Sequence, residues 1–309
     1  MIAFGPVPSR RLGRSLGINN IPPKNCTYSC VYCQLGRTLR KQVIRRSYYP
    51  VDELFRSVKQ KVSSLKNDYV DYLTFVPDGE PTLDINLGEE IEALRELNID
   101  IAVISNSSLL WDKEVQKDLS KADLVSLKVD AVTENIWRRV NRPHKSLNLK
   151  EILSGVLEFS RDFKGDLLTE TMLIRGINDS TEEIKRIADF IAQLEPKKSY
   201  VSSPFRPPAE ERVKVASEYS LITAYQCFKD NSIDVEILTG HEEPDFGFTG
   251  DAESDLLSIT SVHPMRKESL EDLLIKSNES WELIERLIDE DKLAEVEYEG
   301  HKFYIRKFA

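Results

Sequence analysis

Residues 25–34 read N-C-T-Y-S-C-V-Y-C-Q, and this run holds three of the four cysteines in a chain of 309 residues. Cys26, Cys30 and Cys33 are spaced Cys-x3-Cys-x2-Cys, with Tyr32 directly before the last thiol. Three thiolates on one short loop can hold three irons of a 4Fe–4S cubane and leave the fourth iron without a protein ligand. An iron with an open position can bind a small molecule and pass it an electron. The spacing therefore predicts a catalytic centre rather than a structural one.

Zinc is the simplest alternative for these thiols. Structural zinc sites use four ligands, usually as two spaced pairs. Cys30 and Cys33 form one such pair, but no second Cys-x2-Cys follows. The remaining candidates stand singly, at Cys227, His144, His241, His263 and His301. A disulfide would leave one of the three thiols over. The spacing therefore favours the iron–sulfur cluster over a zinc site and over a disulfide. Cys227, the fourth cysteine, is interpreted as a buried core thiol.

The composition is that of an ordinary globular protein, with 40% hydrophobic and 30% charged residues. No long apolar run predicts a membrane span, and the N-terminus M-I-A-F-G-P-V-P-S-R-R lacks the apolar stretch of a signal peptide. Four cysteines without a pairing framework indicate a reducing compartment. We therefore expect a cytoplasmic protein that does not bind membranes.

Charge is distributed unevenly along the chain. The net charge is −10, yet no Asp or Glu precedes Asp52, and the first 51 residues carry nine Lys or Arg. Such asymmetry indicates an anionic partner at this end of the chain. The candidate substrate residues are Arg10, Arg11 and Arg14, which are predicted to lie near the barrel mouth, and Arg37, Arg40, Arg45 and Arg46 could extend the same surface. The alternative is that these arginines offset the cluster's own negative charge or lie on a solvated face.

Up to about residue 240 the chain alternates strand-like and helix-like runs. Strands are predicted at 16–18, 69–75, 99–105, 124–129, 166–174, 199–202 and 235–238, and helices at 51–65, 87–97, 113–119, 149–163, 181–194 and about 215–231. This alternation is typical of βα units with a parallel sheet. The predicted fold is α/β, a partial (β/α)6 TIM-type barrel. A flat doubly wound sheet is the alternative, although the chain lacks its Gly-rich first turn.

Polar residues end several predicted strands, which is where barrels of this type place their chemistry. Ser126, Lys128 and Asp130 alternate with apolar residues and share one face of their strand. A buried parallel strand is normally apolar on both faces. The polar face therefore indicates a lumen lined for a ligand. Lys128 and Asp130 are the candidate catalytic groups on the substrate side, with a structural ion pair as the alternative.

The chain is predicted to divide into a barrel at residues 1–240, a Gly- and acid-rich linker at 241–254 and a small unit at 255–309. Helices predicted at 255–260, 269–276 and 280–290 precede a hairpin over 293–307 that turns at Glu299–Gly300. Three helices followed by a two-stranded wing describe a winged-helix-like domain. Residues 253–309 carry 14 acids against eight bases, which would repel phosphates. A contact with a protein partner or a lid function is therefore favoured over nucleic-acid binding.

C-T-Y-S-C-V-Y-C resembles the Cys-x3-Cys-x-aromatic-Cys signature of the radical S-adenosylmethionine (radical SAM) superfamily, and the resemblance extends over about residues 10–240. It implies that Cys26, Cys30 and Cys33 hold a 4Fe–4S cluster whose open iron chelates the amino and carboxylate groups of SAM. One electron then cleaves SAM to methionine and a 5′-deoxyadenosyl radical, which abstracts a hydrogen atom from the substrate. The electron is expected from a donor such as flavodoxin or ferredoxin.

The same resemblance implies a set of SAM contacts. D-G-E-P, which contains Asp78, Gly79 and Glu80, is similar to the family's Gly-Gly-Glu element, which meets the SAM ammonium. Ser105 and Asn106 resemble residues near the SAM ribose and carboxylate, and Glu170 resembles a contact of the ribose hydroxyls. L-I-R-G-I-N-D, which contains Gly176, resembles the adenine-contacting segment, and Tyr32 would pack near the adenine.

The run F-G-P-V-P-S-R-R-L-G-R-S-L-G-I also resembles a group related to wyosine-type tRNA synthases. Wyosine-forming members carry extra amino-terminal cysteines for a second cluster, and this chain has no cysteine before Cys26. One cluster is therefore expected. The resemblance favours an anionic substrate, RNA and first of all tRNA. The alternatives are radical modification of a protein or peptide, gripped by the C-terminal unit, and a metal-binding winged-helix regulator without catalysis.

Overall fold

The computed structural model describes residues 1–65, 69–238, 246, 250–261 and 263–307. Its larger part is a sheet surrounded by helices. The strands are β1 (Ala3–Ser9), β2 (Gly13–Ile18), β3 (Asn25–Cys26), β4 (Arg40–Lys41), β5 (Tyr72–Phe75), β6 (Asp100–Ser105), β7 (Leu124–Lys128), β8 (Asp166–Met172), β9 (Lys198–Ser202) and β10 (Val235–Leu238). The helices are α1 (Val51–Ser64), α2 (Leu87–Leu94), α3 (Lys113–Leu119), α4 (Glu134–Val140), α5 (Leu149–Asp162), α6 (Thr181–Ala192) and α7 (Glu218–Asp230).

The main sheet has eight strands in the order β1-β2-β5-β6-β7-β8-β9-β10. From β2 onward neighbouring strands are parallel, and β1 runs antiparallel along β2. The strands follow each other in chain order, whereas a doubly wound sheet reverses its order at a switch point. Among the described residues β1 and β10 do not pair, so the barrel is open between them. The predicted α/β fold, a partial (β/α)6 TIM-type barrel, is confirmed.

Most of the predicted elements lie within a few residues of their observed bounds, but β1, α4 and three two-residue strands (β3, β4 and Met265–Arg266) were missed. Two of these elements matter for the site. The first is β1, which contains Gly5, Pro6 and Pro8. Proline cannot donate to a sheet ladder and argues against a central strand, yet it is tolerated at a sheet edge, which is where β1 lies. The second is α4, a helix of seven residues between β7 and α5. Its indole, Trp137, is buried and donates to the hydroxyl of Tyr28 in the cysteine loop, 3.1 Å away.

Hydrophobic clusters lie on both faces of the sheet, and the cluster on the helix side is much the larger. A large core between the strands and the surrounding helices includes Val125 and Leu127 of β7. A smaller cluster, made of Leu12, Ala102, Leu124, Leu168 and Tyr200, occupies the lumen near the amino ends of the strands. Toward the carboxyl ends of the strands, the wall of the lumen mixes polar side chains such as Lys128 and Glu170 with apolar ones such as Ile104 and Met172. None of the helices described here is both long and apolar enough to cross a membrane.

The C-terminal unit contains α8 (Ala252–Thr260), β11 (Met265–Arg266), α9 (Lys267–Ser277), α10 (Glu282–Asp289), β12 (Leu293–Tyr298) and β13 (His301–Arg306). The three strands form an antiparallel sheet in the order β11-β13-β12, and β12 turns into β13 at the predicted Glu299–Gly300. This small sheet domain encloses its own core. Its identity as a winged helix stays a prediction.

The predicted domain boundaries also stay predictions. Residues 241–245 and 247–249 of the predicted linker lie outside the described residues, and α8 begins at Ala252, inside that linker. The C-terminal unit packs on the barrel at its open edge. Val7 of β1 packs against the core of the small domain. Lys61 of α1 forms an ion pair with the buried Asp255 of α8, and the hydroxyl of Tyr298 donates to the carbonyl oxygen of Pro204, 2.7 Å away.

Candidate active site

The cysteine loop begins where β2 ends, at the carboxyl end of the parallel strands. Barrels of this type place their chemistry at that end. Cys26 lies in β3, which pairs with β4. Further along the loop, the N–H groups of Ser29 and Val31 donate to the carbonyl oxygens of Asn141 and Val140, 3.0 and 2.9 Å away. The barrel therefore holds the backbone of the loop from two sides.

The three loop thiols are partly buried, line one cavity and form no disulfide. Burial raises the pKa of Cys26 well above its usual range, raises that of Cys30 to about 12, and raises that of Cys33. A buried thiol ionises readily only when a cation takes the place of its proton. These thiols are therefore suited to ionise as iron binds.

Two asparagine side chains point amide groups at the sulfurs. The Nδ2 of Asn106 lies 3.4 Å from the Sγ of Cys26, and the Nδ2 of Asn141 lies 3.4 Å from the Sγ of Cys30. Hydrogen bonds to ligating sulfur stabilise its negative charge and tune an iron–sulfur centre. The donor set and its surroundings therefore fit a 4Fe–4S cluster.

The geometry disfavours the zinc alternative. In the part of the chain that the structure describes, no three His, Cys, Asp or Glu side chains converge as ligands of one metal ion. Cys227 lies in α7 and does not line the cavity, and His241 lies outside the described residues. In a cubane, each sulfur binds a different iron, so the three thiols need not meet at one point.

The thiols face a cavity of about 440 Å³. Sites for small molecules commonly enclose about 300 to 1,000 Å³. Polar wall residues come from the carboxyl ends of successive strands and include Glu80, Ser105, Asn106, Lys128, Glu170 and Ser202. Phe246 and His263, from the C-terminal part of the chain, line the same cavity. The cavity therefore has room for a small molecule beside the thiols, and the C-terminal unit forms part of its wall.

The D-G-E-P turn packs directly on the strand that carries Cys26. A Cβ on Gly79 would lie 1.9 Å from the carbonyl oxygen of Asn25, so only glycine permits this approach. The N–H of Glu80 donates to the same oxygen over 3.1 Å. Asp78 is turned toward Lys24, with 3.3 Å between Oδ2 and Nζ, and does not line the cavity.

The carboxylate of Glu80 joins two neighbouring strand ends. It is fully buried and accepts hydrogen bonds from the hydroxyls of Ser105 and Thr82 and from the N–H of Asn106, each 2.7 Å away. Burial raises the pKa of this carboxyl, and the three donors oppose that effect. The contacts of Glu80, Ser105 and Asn106 with SAM stay predictions. What the structure shows is that these residues hold one another in place beside the cysteine loop.

Glu170 forms an ionic group inside the lumen with two cations from distant parts of the chain. Its carboxylate contacts the guanidinium of Arg11, and the Nζ of Lys128 lies 3.2 Å away. Burial alone would raise the pKa of Glu170. The charges of Arg11 and Lys128 have the larger effect and lower that pKa to about 2. Lys128 lines the cavity. The structural ion pair that was the alternative for Lys128 and Asp130 forms between Lys128 and Glu170 instead. Both the predicted catalytic role of Lys128 and the ribose contact of Glu170 stay predictions.

Asp130 is engaged by the structure around the cysteine loop. Its carboxylate accepts from the hydroxyl of Tyr32, from the Nδ2 of Asn141 at 2.8 Å and from the N–H of Met172 at 2.9 Å. Burial and the nearby Asp130 raise the pKa of Tyr32 well above its usual range. Asp130 does not line the main cavity. Its geometry favours a positioning role for this residue, and its predicted catalytic role stays untested.

The predicted location of the three amino-terminal arginines needs correction. Arg10 and Arg11 lie in the turn between β1 and β2, and Arg14 lies near the start of β2, at the end of the sheet opposite to the cysteine loop. Arg10 and Arg11 still line the cavity, whereas Arg14 stacks over the ring of Tyr69, with 5.2 Å to the centroid. The antiparallel hairpin of β1 and β2, which the sequence did not predict, turns this segment away from the mouth. Substrate binding by these residues stays a prediction.

Gly176 also lies outside the cavity wall. It is exposed, in a turn after β8 where its φ is 69°, and its N–H donates to Asp179 over 2.7 Å. Its predicted adenine contact stays untested. Asn141 and Arg206 were not predicted from the sequence, and His263 was considered there only as a possible zinc ligand. No motif marks them, because they reach the site from α4, from the loop after β9 and from the C-terminal unit.

Comparison with known proteins agrees with this geometry. Residues 20–191 match the family model described as Radical SAM superfamily. A protein of Methanocaldococcus jannaschii named UPF0026 protein MJ1312 is 48% identical over 308 residues, which cover 99% of this chain and 96% of that protein. The chain belongs to the radical SAM superfamily. Its cofactors are those of that superfamily, a 4Fe–4S cluster and SAM.

More distant similarities cover about two thirds of the chain or slightly more. A protein of Thermotoga sp. (strain RQ2) named "Probable dual-specificity RNA methyltransferase RlmN" is 25% identical over 223 residues, which cover 69% of this chain and 61% of that protein. A solved structure of TYW1 with a lysine-pyruvate adduct bound superposes with a TM-score of 0.52 at 16% identity and covers 71% of this chain and 74% of that one. The second likeness shows the fold alone.

Proposed function

We propose that this chain reductively cleaves SAM at a 4Fe–4S cluster held by Cys26, Cys30 and Cys33. The observation that carries the proposal is that all three thiols lie on one loop, at the carboxyl end of β2, and line one cavity of about 440 Å³. The bound cluster would supply the electron that cleaves SAM to methionine and a 5′-deoxyadenosyl radical.

The surrounding residues would orient the reactants and exclude water. Glu80 fixes Ser105 and Asn106 beside Cys26, so these polar groups are already placed when SAM enters. Polar groups held in this way add binding energy without further loss of conformational entropy. Lys128 and Glu170 keep opposite charges inside the lumen, where they can meet polar groups of the ligand.

We further propose RNA as the substrate class. A relative that is 25% identical over 223 residues is named "Probable dual-specificity RNA methyltransferase RlmN". The first 51 residues contain no acid, and Arg10 and Arg46 are among their exposed cations. Phosphates supply most of the affinity of proteins for nucleic acids, and exposed Lys and Arg are their usual partners.

SAM cleavage is tested by incubating the reconstituted protein with SAM and dithionite under anaerobic conditions. We expect about four irons and four sulfides per chain and the release of 5′-deoxyadenosine and methionine. Cys30→Ala should lose the cluster and the products, whereas Cys227→Ala, the matched control at the fourth cysteine, should retain both. A fully loaded wild type that releases no 5′-deoxyadenosine would refute the proposal.

The substrate class is tested by adding fractionated cell components to the same reaction. Purified total tRNA should increase the yield of 5′-deoxyadenosine. One nucleoside of the recovered tRNA should change in mass, as measured by mass spectrometry. Ribonuclease treatment of the fraction should abolish the increase. An increase that survives ribonuclease and is lost after protease treatment would replace RNA by a protein or peptide.

A further inference from the structure

The outer side of the cysteine loop carries a basic patch, defined here as Arg37, Arg40, Lys41, Arg142, Lys145 and Arg212. Contacts or proximity in the chain connect these residues. The carboxylate of Glu210 binds Arg37, Arg142 and Arg212 at 3.0, 2.6 and 3.1 Å. The Nζ of Lys41 donates to the carbonyl oxygen of Arg142 over 3.1 Å, and Lys145 follows three residues later and is exposed. Glu210 and the exposed Glu211 are the acids in its midst.

The patch lies directly beside the cluster ligands. Arg40 and Lys41 form β4, in which Lys41 is the direct partner of Cys26 in the parallel pair with β3. Paired strands are about 4.8 Å apart. On the other flank, the N–H of His144 donates to the carbonyl oxygen of Thr27 over 2.9 Å. A molecule on this patch would therefore be one strand away from the first cysteine of the loop.

The patch does not face the place where substrate must react. None of its six cations lines the 440 Å³ cavity, although Cys26, Cys30 and Cys33 all do. A substrate has to bring its reacting atom into that cavity. A molecule that only delivers an electron needs no access to the cavity and has to approach the cluster alone.

The patch also presents an apolar side chain. Leu39 is 80% exposed between Arg37 and Arg40. An exposed leucine flanked in the chain by cations fits a protein surface with an apolar centre and an acidic rim.

We propose that the basic patch docks an acidic protein that carries a one-electron redox centre. The inference rests on the proposed function, because that reaction needs one electron per SAM cleaved. The thiols of the chain suffice for one cluster, so a second cluster on this chain is not the source of the electron, and we assign that role to a donor protein. One electron leaves the centre of the donor and enters the cluster. The donor is oxidised by one electron, the cluster is reduced by one, and no bond forms or breaks in this step.

The test compares the rate at which reduced flavodoxin reduces the reconstituted cluster in several variants, followed by stopped-flow absorbance without SAM. Arg40→Glu/Lys41→Glu should lower the second-order rate constant about tenfold or more at low salt, because electrostatic steering accelerates association by that order. High salt should shrink the difference. Arg161→Glu/Lys164→Glu, the same charge change at exposed sites near the amino end of β8, should leave the rate unchanged.

Two further measurements separate a loss of donor docking from a loss of the cluster or of its activity. Leu39→Ser leaves the charge and the β3–β4 pairing intact and should slow reduction several-fold at both salt concentrations. SAM cleavage driven by dithionite, which needs no docking, should proceed equally in all these variants. Failure of dithionite-driven cleavage in the loaded wild type would refute the proposed function alone, since cluster reduction is measured independently of it.

The docking proposal is overturned if flavodoxin reduces Arg40→Glu/Lys41→Glu and Leu39→Ser at the wild-type rate. It is also overturned if these variants lose affinity for total tRNA in a gel-shift assay while their reduction by flavodoxin is unchanged. That result would assign the patch to RNA.

Discussion

Asn106 and Asn141 are the side chains outside the cysteine loop whose amides approach its sulfurs, at 3.4 Å in both cases. Each is held by further contacts. The Nδ2 of Asn106 also donates to the hydroxyl of Thr27 over 2.9 Å, and that of Asn141 to Asp130 over 2.8 Å. Because these amides are oriented before a cluster binds, we expect them to set its potential as well as its position.

Replacing either asparagine with leucine should make the reduction potential of the cluster more negative. An amide N–H stabilises the reduced, more negative cluster more than the oxidised one. The loss of about 1 kcal/mol corresponds to a shift on the order of 50 mV for a one-electron couple. The measurement is an EPR-monitored redox titration at equal iron content. Asn86→Leu, at a position that bonds Ser47 and Tyr49, is the control, and unchanged potentials in both test variants would contradict the interpretation.

A second residue-scale prediction concerns Glu90 of α2, which is fully buried. Its carboxylate accepts from the Nδ2 of Asn20 at 3.2 Å, and burial together with the nearby Asp84 raises its pKa to about 9. The folded state then binds a proton that the unfolded state releases above a pKa of about 4.3, so stability falls as the pH rises between these values.

Glu90→Gln removes this penalty. Its free energy of unfolding should exceed that of the wild type, and the gain should grow by up to about 2.7 kcal/mol between pH 6 and pH 8. Urea unfolding of the apo-protein at both pH values measures it. Glu89→Gln, at the exposed neighbouring position, should show no such trend. A gain that is independent of pH would mean that Glu90 is ionised in the folded chain.

At the scale of elements, the C-terminal unit packs on the barrel and contributes to the wall of its cavity. It packs on β1, the edge strand, and lines the cavity with Phe246 and His263. The Nε2 of His263 lies 3.1 Å from Arg206, whose other terminal nitrogen donates to Gln34, the residue after Cys33. The unit is thus connected through Arg206 to the cysteine loop, and its predicted role as a protein contact or a lid stays a prediction.

Docking of the C-terminal unit is tested at the Lys61–Asp255 ion pair, where the two charged atoms are 3.0 Å apart and the side chain of Asp255 is 1% exposed. Lys61→Met should lower the free energy of unfolding by up to about 3 kcal/mol, because it leaves a buried carboxylate with less compensation. A double-mutant cycle with Asp255→Leu should show coupling of at least about 1 kcal/mol.

The surface pair Lys197–Asp166 is the matched control for that cycle. Its side chains are 64% and 40% exposed, and exposed pairs contribute about 0.5 kcal/mol or less. Additive effects of Lys61→Met and Asp255→Leu would show that α8 does not dock on α1 in solution.

At the scale of the whole molecule, the uneven charge gives the RNA proposal a direct test. If as few as three exposed cations contact phosphates, affinity for tRNA should fall about tenfold or more between 50 and 200 mM salt. Filter binding at several salt concentrations measures the slope. Poly-glutamate, an anion without bases, serves as the competitor control. An affinity for tRNA that does not change with salt concentration would contradict the proposal that RNA is the substrate.

The sequence predicted what depends on local spacing. The thiols of Cys26, Cys30 and Cys33 lie within eight residues, so their pattern alone identified the site, and the alternation of strands and helices identified the barrel. Contacts between distant segments could not be predicted in this way. Arg11 and Glu170 are 159 residues apart, and nothing in either segment indicates that a hairpin at β1 would bring them together.

The central claim is that three thiolates leave one iron of the cluster open for SAM. Electron–nuclear double resonance of the reduced protein with SAM tests it most directly, with 15N in the amino group of SAM. The account predicts hyperfine coupling between that nitrogen and the cluster. Absence of coupling in a fully loaded sample, together with a cysteine or histidine of the protein on the fourth iron, would contradict it.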